Sequence, residues 1–227
     1  MQDVERFIAG FERFRRQHFD EAPDSWQDLV AEQRPRTLLI GCSDSRVDPA
    51  LLLGSDPGEI FTVRNVANLV PRNENTIGNH GVSAAIQFAV DSLLVERVIV
   101  LGHSSCGGIG ALISQHLPQE GEYDFIGRWV SIAEPARLRV MREMPDASLA
   151  ARRRACEMAS ILVSLKNLMS FPWVQRRVEA GELTLHGWYF DMKAGALLAY
   201  SRETDTFEPL GEPRSDMQDP TPGTETS

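Results

Sequence analysis

Cysteine is scarce in this 227-residue chain, with thiols only at positions 42, 106 and 156. Three thiols, an odd number spread over a chain of this length, do not make a disulfide scaffold, so metal binding or catalysis is the better reading for some of them. Positive charge is also in deficit: 23 Lys and Arg stand against 32 Asp and Glu, for a formal charge of -9. A field of that sign repels polyanions, which argues against nucleic acid and against an anionic membrane surface as partners. No apolar run approaches the roughly 18 to 20 residues of a membrane span. The opening MQDVERFIAG has neither the basic flank nor the long apolar stretch of a signal peptide. A soluble, cytoplasmic protein is expected. Internal repeats are lacking as well, so nothing suggests a solenoid.

What is present is enough apolar material, 42% of residues, for a sizeable core, expected as a single domain over residues 1–210. Val4, Phe7, Ile8, Phe11, Phe14 and Phe19 recur at helical spacing with charges between them, which predicts an amphipathic helix over 3–19. Short apolar runs at 36–41 (RTLLIG), 60–66 and 96–102 (ERVIVLG) read as strands, the first and last of them buried on both faces as parallel sheets require. Helices are expected over 81–94, 109–117, 147–169 and 172–180, the last closed by Gly181. LTLHGWYFD and ALLAYS read as two strands around a turn at Lys193, Ala194 and Gly195. Strands alternating with helices give the fold class α/β, a central and mainly parallel β-sheet flanked by helices and preceded by the amphipathic helix. From Gly211 onward the sequence GEPRSDMQDPTPGTETS has almost nothing to bury, so 211–227 is expected to be a disordered tail.

Chemistry concentrates in two stretches. Cys42-Ser43-Asp44-Ser45-Arg46 follows the first apolar run directly, and His103-Ser104-Ser105-Cys106-Gly107-Gly108 follows the run at 96–102. In open parallel sheets the carboxyl ends of the strands face the ligand crevice, so two motifs about sixty residues apart can meet there. His103 and Cys106 lie three residues apart at a strand-to-helix junction, where positions i and i+3 share a side. With Cys42 they make a Cys₂His set. Zinc accepts thiolate and imidazole in tetrahedral geometry, and three protein ligands leave a fourth position for the water that a catalytic site activates. Asp44 is then placed to accept a hydrogen bond from hydroxide on the metal, and Arg46 to pin that carboxylate with a fork of two bonds.

Blander readings exist for each residue alone: a core cysteine, a structural histidine, a loop salt bridge between Asp44 and Arg46. The joint occurrence of five such residues favours a site. Cys156, His18, His80, His116 and His186 keep the bland reading. Gly107 and Gly108 either permit close helix packing or let backbone N–H groups approach a ligand.

Over residues 3 to 210 the chain resembles the β-class carbonic anhydrases, through GCSDSRVDP, DPGEIFTVRNVANLVP, GVSAAIQFAV, VIVLGHSSCGGI and LHGWYFDMKAGAL. The resemblance implies one zinc ion per chain on Cys42, His103 and Cys106, with Asp44 and Arg46 as the catalytic pair. It implies that Gln33 hydrogen-bonds substrate, that Phe61, Val66 and Phe88 wall an apolar carbon dioxide pocket, and that the Gly107 amide faces the substrate. The position of Phe88 is often a tyrosine in the family, so a hydroxyl is missing here. The implied activity is reversible hydration of carbon dioxide to bicarbonate and a proton by attack of zinc-bound hydroxide. A homodimer or dimer of dimers is implied too, with the N-terminal helix lying on the partner.

Some bacterial members carry a second bicarbonate pocket, built from a tryptophan, an arginine and a tyrosine, that favours a closed, inactive state with the aspartate on zinc. Those positions fall at Leu39, Arg64 and Phe190, where only the arginine remains. The chain is therefore expected to be of the non-allosteric type seen in plants and cyanobacteria, with Asp44 paired to Arg46 in an open site. Three rival readings exist. One is an enzyme of the same fold acting on another small linear substrate, such as carbon disulfide. Another is a non-catalytic zinc-stabilised interaction module, which would show four protein ligands and need no Asp44, Arg46 or Gln33. The third, a cysteine redox protein, lacks a C-x-x-C pair.

Overall fold

The computed structural model describes residues 2–21, 23–74, 78–115 and 124–211; the expected tail beyond Gly211 lies outside the described residues. The apolar runs become strands β1 (Thr37–Cys42), β2 (Ile60–Asn65) and β3 (Arg97–His103). Together with β4 (Thr184–Asp191), β5 (Ala196–Ser201) and β6 (Thr206–Pro209) they form one sheet in the order β2-β1-β3-β4-β5-β6. Neighbours among the first four strands run parallel, and β5 and β6 are added antiparallel. The first strand reaches one residue further than the apolar run, so Cys42 is its last member, in register with Asn65. The third likewise ends on His103, in register with Phe190 of β4.

Both faces of the sheet centre are covered, as a parallel sheet demands. On one face Leu38, Ile40, Val98 and Val100 pack against α4 (Gly81–Gln87) through Ile86 and against α8 (Leu149–Leu168) through Ile161 and Leu168. On the other face Leu39, Ile99 and Leu101 meet Leu52 and Leu53 of α3 (Pro49–Leu53). A third cluster lies beyond the carboxyl ends of the strands. There α5 (Gly107–Ser114), α6 (Phe125–Val130), α7 (Glu134–Glu143) and α8 contribute Ile109, Leu112, Val130, Val140 and Cys156 to the same core as Cys42 and Cys106.

α-Helix in the stretch expected over 81–94 stops at Gln87 and gives way to a π-helical turn, Phe88–Ser92. The N-terminal pattern behaves similarly. Helix α1 (Gln2–Arg15) passes through a π-helical turn, Arg16–Asp20, into α2 (Pro23–Ala31). At that corner the rings of Phe14, His18, Phe19 and Trp26 cluster in tilted and edge-to-face pairs with centroids 4.5 to 6.4 Å apart. The apolar stripe earlier in α1 does not follow them inward: Val4, Phe7, Ile8 and Phe11 stay 54 to 65% exposed. Among the described residues no helix is long and apolar enough to cross a membrane.

Candidate metal centre

Because β1 and β3 are parallel neighbours, Cys42 and His103 arrive side by side at the carboxyl edge of the sheet. After His103 the chain turns through Ser104 and Ser105, the latter at φ 59°. It enters α5 with Cys106 as the N-cap residue, which returns the second sulfur to the strand ends. The ligand atoms of Cys42, His103 and Cys106 lie within 4.8 Å of one another and all three residues are buried. Among the described residues no fourth cysteine, histidine or carboxylate joins this group.

Hydrogen bonds decide which atoms are left to bind. His103 Nδ1 lies 2.9 Å from the Ser104 carbonyl; donating there, it leaves Nε2 with a lone pair. That Nε2 is buried and makes no hydrogen bond of ordinary geometry, its neighbours being the two sulfurs and the Asp44 carboxylate. Buried polar atoms in native cores are nearly always satisfied, and a metal ion is what would satisfy this one. The backbone N–H groups of Asp44 and Ala67 each donate to Cys42 Sγ at 3.4 Å. The adjacent Cys106 thiol, with His103 and these amides, holds Cys42 well below the usual thiol range against the effect of burial, while Cys42 and burial push Cys106 up. Two buried sulfurs this close do not both ionise unless a cation joins them. Two thiols and one imidazole nitrogen form a donor set that fits zinc.

Asp44 borders the cluster, its Oδ2 3.9 Å from His103 Nε2. Arg46 grips the carboxylate with Nε on Oδ1 at 2.9 Å and Nη2 on Oδ2 at 2.7 Å, and adds its backbone N–H to Oδ1 at 3.0 Å. This guanidinium holds the Asp44 carboxyl well below the usual carboxylate range. Arg46 Nη2 also donates to the Ser105 carbonyl at 3.2 Å, which ties the two motif loops together. From β2, Arg64 donates to the carbonyls of Cys42 and Asp44 at 2.9 and 2.8 Å and to Asp48 Oδ2 at 2.9 Å. Asp48 in turn caps α3 by accepting from the N–H groups of Ala50 and Leu51. Leu39 is core, and Phe190 packs in the same cluster. Of those three positions only Arg64 is polar, and it is committed to the loop that carries Cys42 and Asp44.

Not every candidate residue gathers here. Val66 does: it follows Asn65, the register partner of Cys42, and its Cγ1 lies 2.9 Å from where a Cβ on Gly108 would stand. Gly108 is thus needed for close packing, whereas a Cβ on Gly107 would meet nothing within 4 Å. Phe61 and Phe88 pair with each other, ring centroids 5.9 Å apart. Phe61 is in register with Leu38, four residues from Cys42, which is about 13 Å along a strand. Gln33 lies before β1 and is exposed, still further toward the amino end. Strand geometry keeps Gln33, Phe61 and Phe88 apart from the cluster within one chain. The apolar surface next to it is instead a cleft of about 410 Å³ lined by Asn65, Val66, Phe125, Ile126 and Trp129. There Trp129 Nε1 donates to the Val66 carbonyl at 2.7 Å.

Sequence reasoning also missed a residue that touches a ligand. Glu157, on α8 and buried, accepts the Cys106 N–H on Oε1 at 3.1 Å and the Tyr189 hydroxyl on Oε2 at 2.8 Å. Burial pushes its carboxyl up, only partly offset by Tyr189, the Cys106 amide and Arg153. Its one sequence signal is an acid on the buried stripe of α8, between Cys156 and Ile161.

Comparison with known proteins gives a consistent result. The family model described as carbonic anhydrase matches residues 37–197, the span from the start of β1 into β5. Two curated relatives from Arabidopsis thaliana are the mitochondrial β carbonic anhydrase 6 and β carbonic anhydrase 3. They are 39% and 36% identical over 195 and 193 residues, covering 86% and 85% of this chain and 67% and 74% of their own. The solved structure of the β-carbonic anhydrase CcaA is similar with a TM-score of 0.86 and 32% identity, over 93% of this chain and 94% of that one. A structure from a study of two tetrameric β-carbonic anhydrases of the ascomycete Sordaria macrospora gives 0.75 at 24% identity, over 88% and 97% of the two chains. That last likeness speaks for the fold alone.

Proposed function

The chain belongs to the β-class carbonic anhydrases, and on that premise we propose that it hydrates carbon dioxide reversibly to bicarbonate and a proton at one zinc ion on Cys42, His103 and Cys106. The observation that carries the zinc assignment is the orphaned, buried Nε2 of His103 beside two buried thiols. Zinc bound there supplies the positive centre that acidifies a water in the remaining position and so makes a nucleophile.

The protein's own groups do the rest. Asp44, kept ionised by the Arg46 fork, offers an acceptor at the edge of the cluster that orients the nucleophile's hydrogen and turns a lone pair toward the substrate carbon. Held this far below neutrality, Asp44 stays a carboxylate and does not take up the proton of the reaction, which passes to buffer. Val66 supplies an apolar wall against which uncharged carbon dioxide displaces water, and the Gly107 N–H is the proposed donor to a substrate oxygen. Arg64, by bracing the Cys42 and Asp44 carbonyls, supports an open site in which Asp44 stays with Arg46, without the cooperative bicarbonate inhibition of the allosteric type.

A role for Gln33, Phe61 and Phe88 in this site requires that they come from a second copy. Three features support assembly as a homodimer or dimer of dimers. Strand β2, which carries Phe61, is a sheet edge, Phe88 is exposed, and the apolar stripe of α1 is uncovered. A cytoplasmic location remains part of this proposal; the three free cysteines are in keeping with any reducing compartment.

Stopped-flow hydration of carbon dioxide tests the function. Catalysis should vanish when a chelator strips the metal and return with one equivalent of zinc. Turnover that survives metal removal, or zinc-loaded protein that hydrolyses carbon disulfide without hydrating carbon dioxide, would overturn the proposal.

A further inference from the structure

Cys106 stands at the start of a helix whose cap its own side chain does not close. It follows Ser105, a non-glycine residue at φ 59°, and it is the N-cap of α5 with no side-chain cap. Its N–H therefore lies outside the helical bonding pattern, since an N-cap residue contributes only its carbonyl to the first turn.

Two side chains one turn apart on α8 take hold of this residue from both sides. Glu157 Oε1 accepts the Cys106 N–H at 3.1 Å, and Arg153 Nη2 donates to the Cys106 carbonyl at 2.8 Å. The same two side chains form an ion pair, Arg153 Nε to Glu157 Oε1, at 3.4 Å. Tyr189, fully buried on β4, fixes the other carboxylate oxygen through its hydroxyl at 2.8 Å. The helix that carries the pair has little freedom to shift. A Cβ at Gly102 of β3 or Gly187 of β4 would stand 2.7 or 2.9 Å from Ile161, so α8 is seated directly on the two strands.

A carboxylate at 3% exposure is costly to bury without partners, and the partners here converge on the backbone of one metal ligand. We propose that Glu157 and Arg153, oriented by Tyr189, are positioning residues that aim the Cys106 sulfur and thereby set the affinity of the centre for metal. This rests on the reading that Cys42, His103 and Cys106 hold zinc. Outer partners that orient a ligand typically change metal affinity ten- to hundredfold when removed.

The test compares the full chain with Glu157→Ala, Glu157→Asp and Glu157→Gln. Zinc affinity is measured by chelator competition, and the thiolate-to-cobalt charge-transfer band of the cobalt(II)-substituted protein is recorded. Glu157→Ala removes the acceptor, and Glu157→Asp withdraws it by one methylene. Both should weaken zinc binding about ten- to hundredfold and shift the cobalt band. Glu157→Gln keeps an acceptor oxygen for the Cys106 N–H and turns its NH₂ to the Tyr189 hydroxyl oxygen, so it should stay within about threefold of the parent, with its band unchanged. The rise in melting temperature on adding zinc should shrink in the Ala and Asp variants, a change that loss of general core packing would not produce. If Glu157→Ala does not fold, the contrast between Asp and Gln decides. Parent-like affinity and an unchanged cobalt band in Glu157→Asp would overturn the inference while leaving the zinc assignment standing. A parent chain that takes up no zinc would overturn both.

Discussion

The carboxyl edge of the sheet and the N-terminal helix treat their side chains in opposite ways. At the edge, Cys42, His103 and Cys106 are buried and tied into place by Asp44, Ala67, Arg64, Arg46 and Glu157. In α1, Val4, Phe7, Ile8 and Phe11 are more than half exposed, although burying each such side chain stabilises by about 1.5 to 3 kcal/mol. A single chain thus brings the three candidate metal ligands together by itself while leaving an apolar face uncovered. Gln33, Phe61 and Phe88, proposed to meet substrate, lie remote from the cluster and share the unfinished character of α1.

If the two regions are separable, they break separately. The largest effect is expected at the centre: Cys42→Ser, His103→Ala or Cys106→Ser should each lose stoichiometric zinc, because two remaining ligands are too few, and should lose hydration with it. Sedimentation should show the assembly unchanged. Dissociation of these variants into monomers would tie the regions together and break the comparison.

Asp44→Ala comes next. It should keep zinc yet lower turnover about a hundredfold or more, the scale of a group that orients or moves a proton at a reacting atom. A normal steady-state rate would show that Asp44 has been given the wrong part.

The reverse experiment is Phe7→Glu with Phe11→Glu, which places two charges on the exposed stripe of α1. Zinc content should be unchanged while the assembly dissociates, and hydration should fall on the order of tenfold as apolar substrate contacts are lost. An intact oligomer would show that the stripe is not the contact. The smallest effect is expected from deleting residues 211–227, which should move the melting temperature by less than about 2 °C because they offer almost nothing to bury.

How far the sequence foretold the molecule depends on the range of each signal. β1 and β3 were legible because a run buried on both faces needs no periodicity to be seen, and the two ligand motifs were legible because strand ends in a parallel sheet converge. The limits of helices were harder. In α7, EPARLRVMRE carries charges on most sides and buries only Ala136 and Val140, too weak a stripe to detect. Helix α3 has Asp48 and Pro49 at its start and Gly54 at φ 62° after its end, but five residues are too few to display a period. Glu157 was illegible for another reason: its partners, the Cys106 amide and the Tyr189 hydroxyl, belong to other elements, and nothing local marks an acid in a helix as a clamp. The resemblance that assigned Gln33, Phe61 and Phe88 to substrate carried no statement of which copy supplies them, and strand geometry then separated them from the cluster within the chain.

The pH dependence of hydration, measured with zinc content on the same sample, tests the central claim most directly. Asp44 has a pKa depressed below its usual 3.8, so its pairing with Arg46 is fully present above that value and is lost only as pH falls through the lower folded one. Asp44 is therefore ionised throughout the neutral and alkaline range and contributes no inflection there. Two thiolates would offset the charge of a zinc ion held there, so its bound water should be less acidic than the pKa of about 7 found with three histidines. Close to one zinc per chain is expected, with a hydration rate that climbs from about pH 7 to about pH 9. One zinc per chain with no hydration at the alkaline end would contradict the claim.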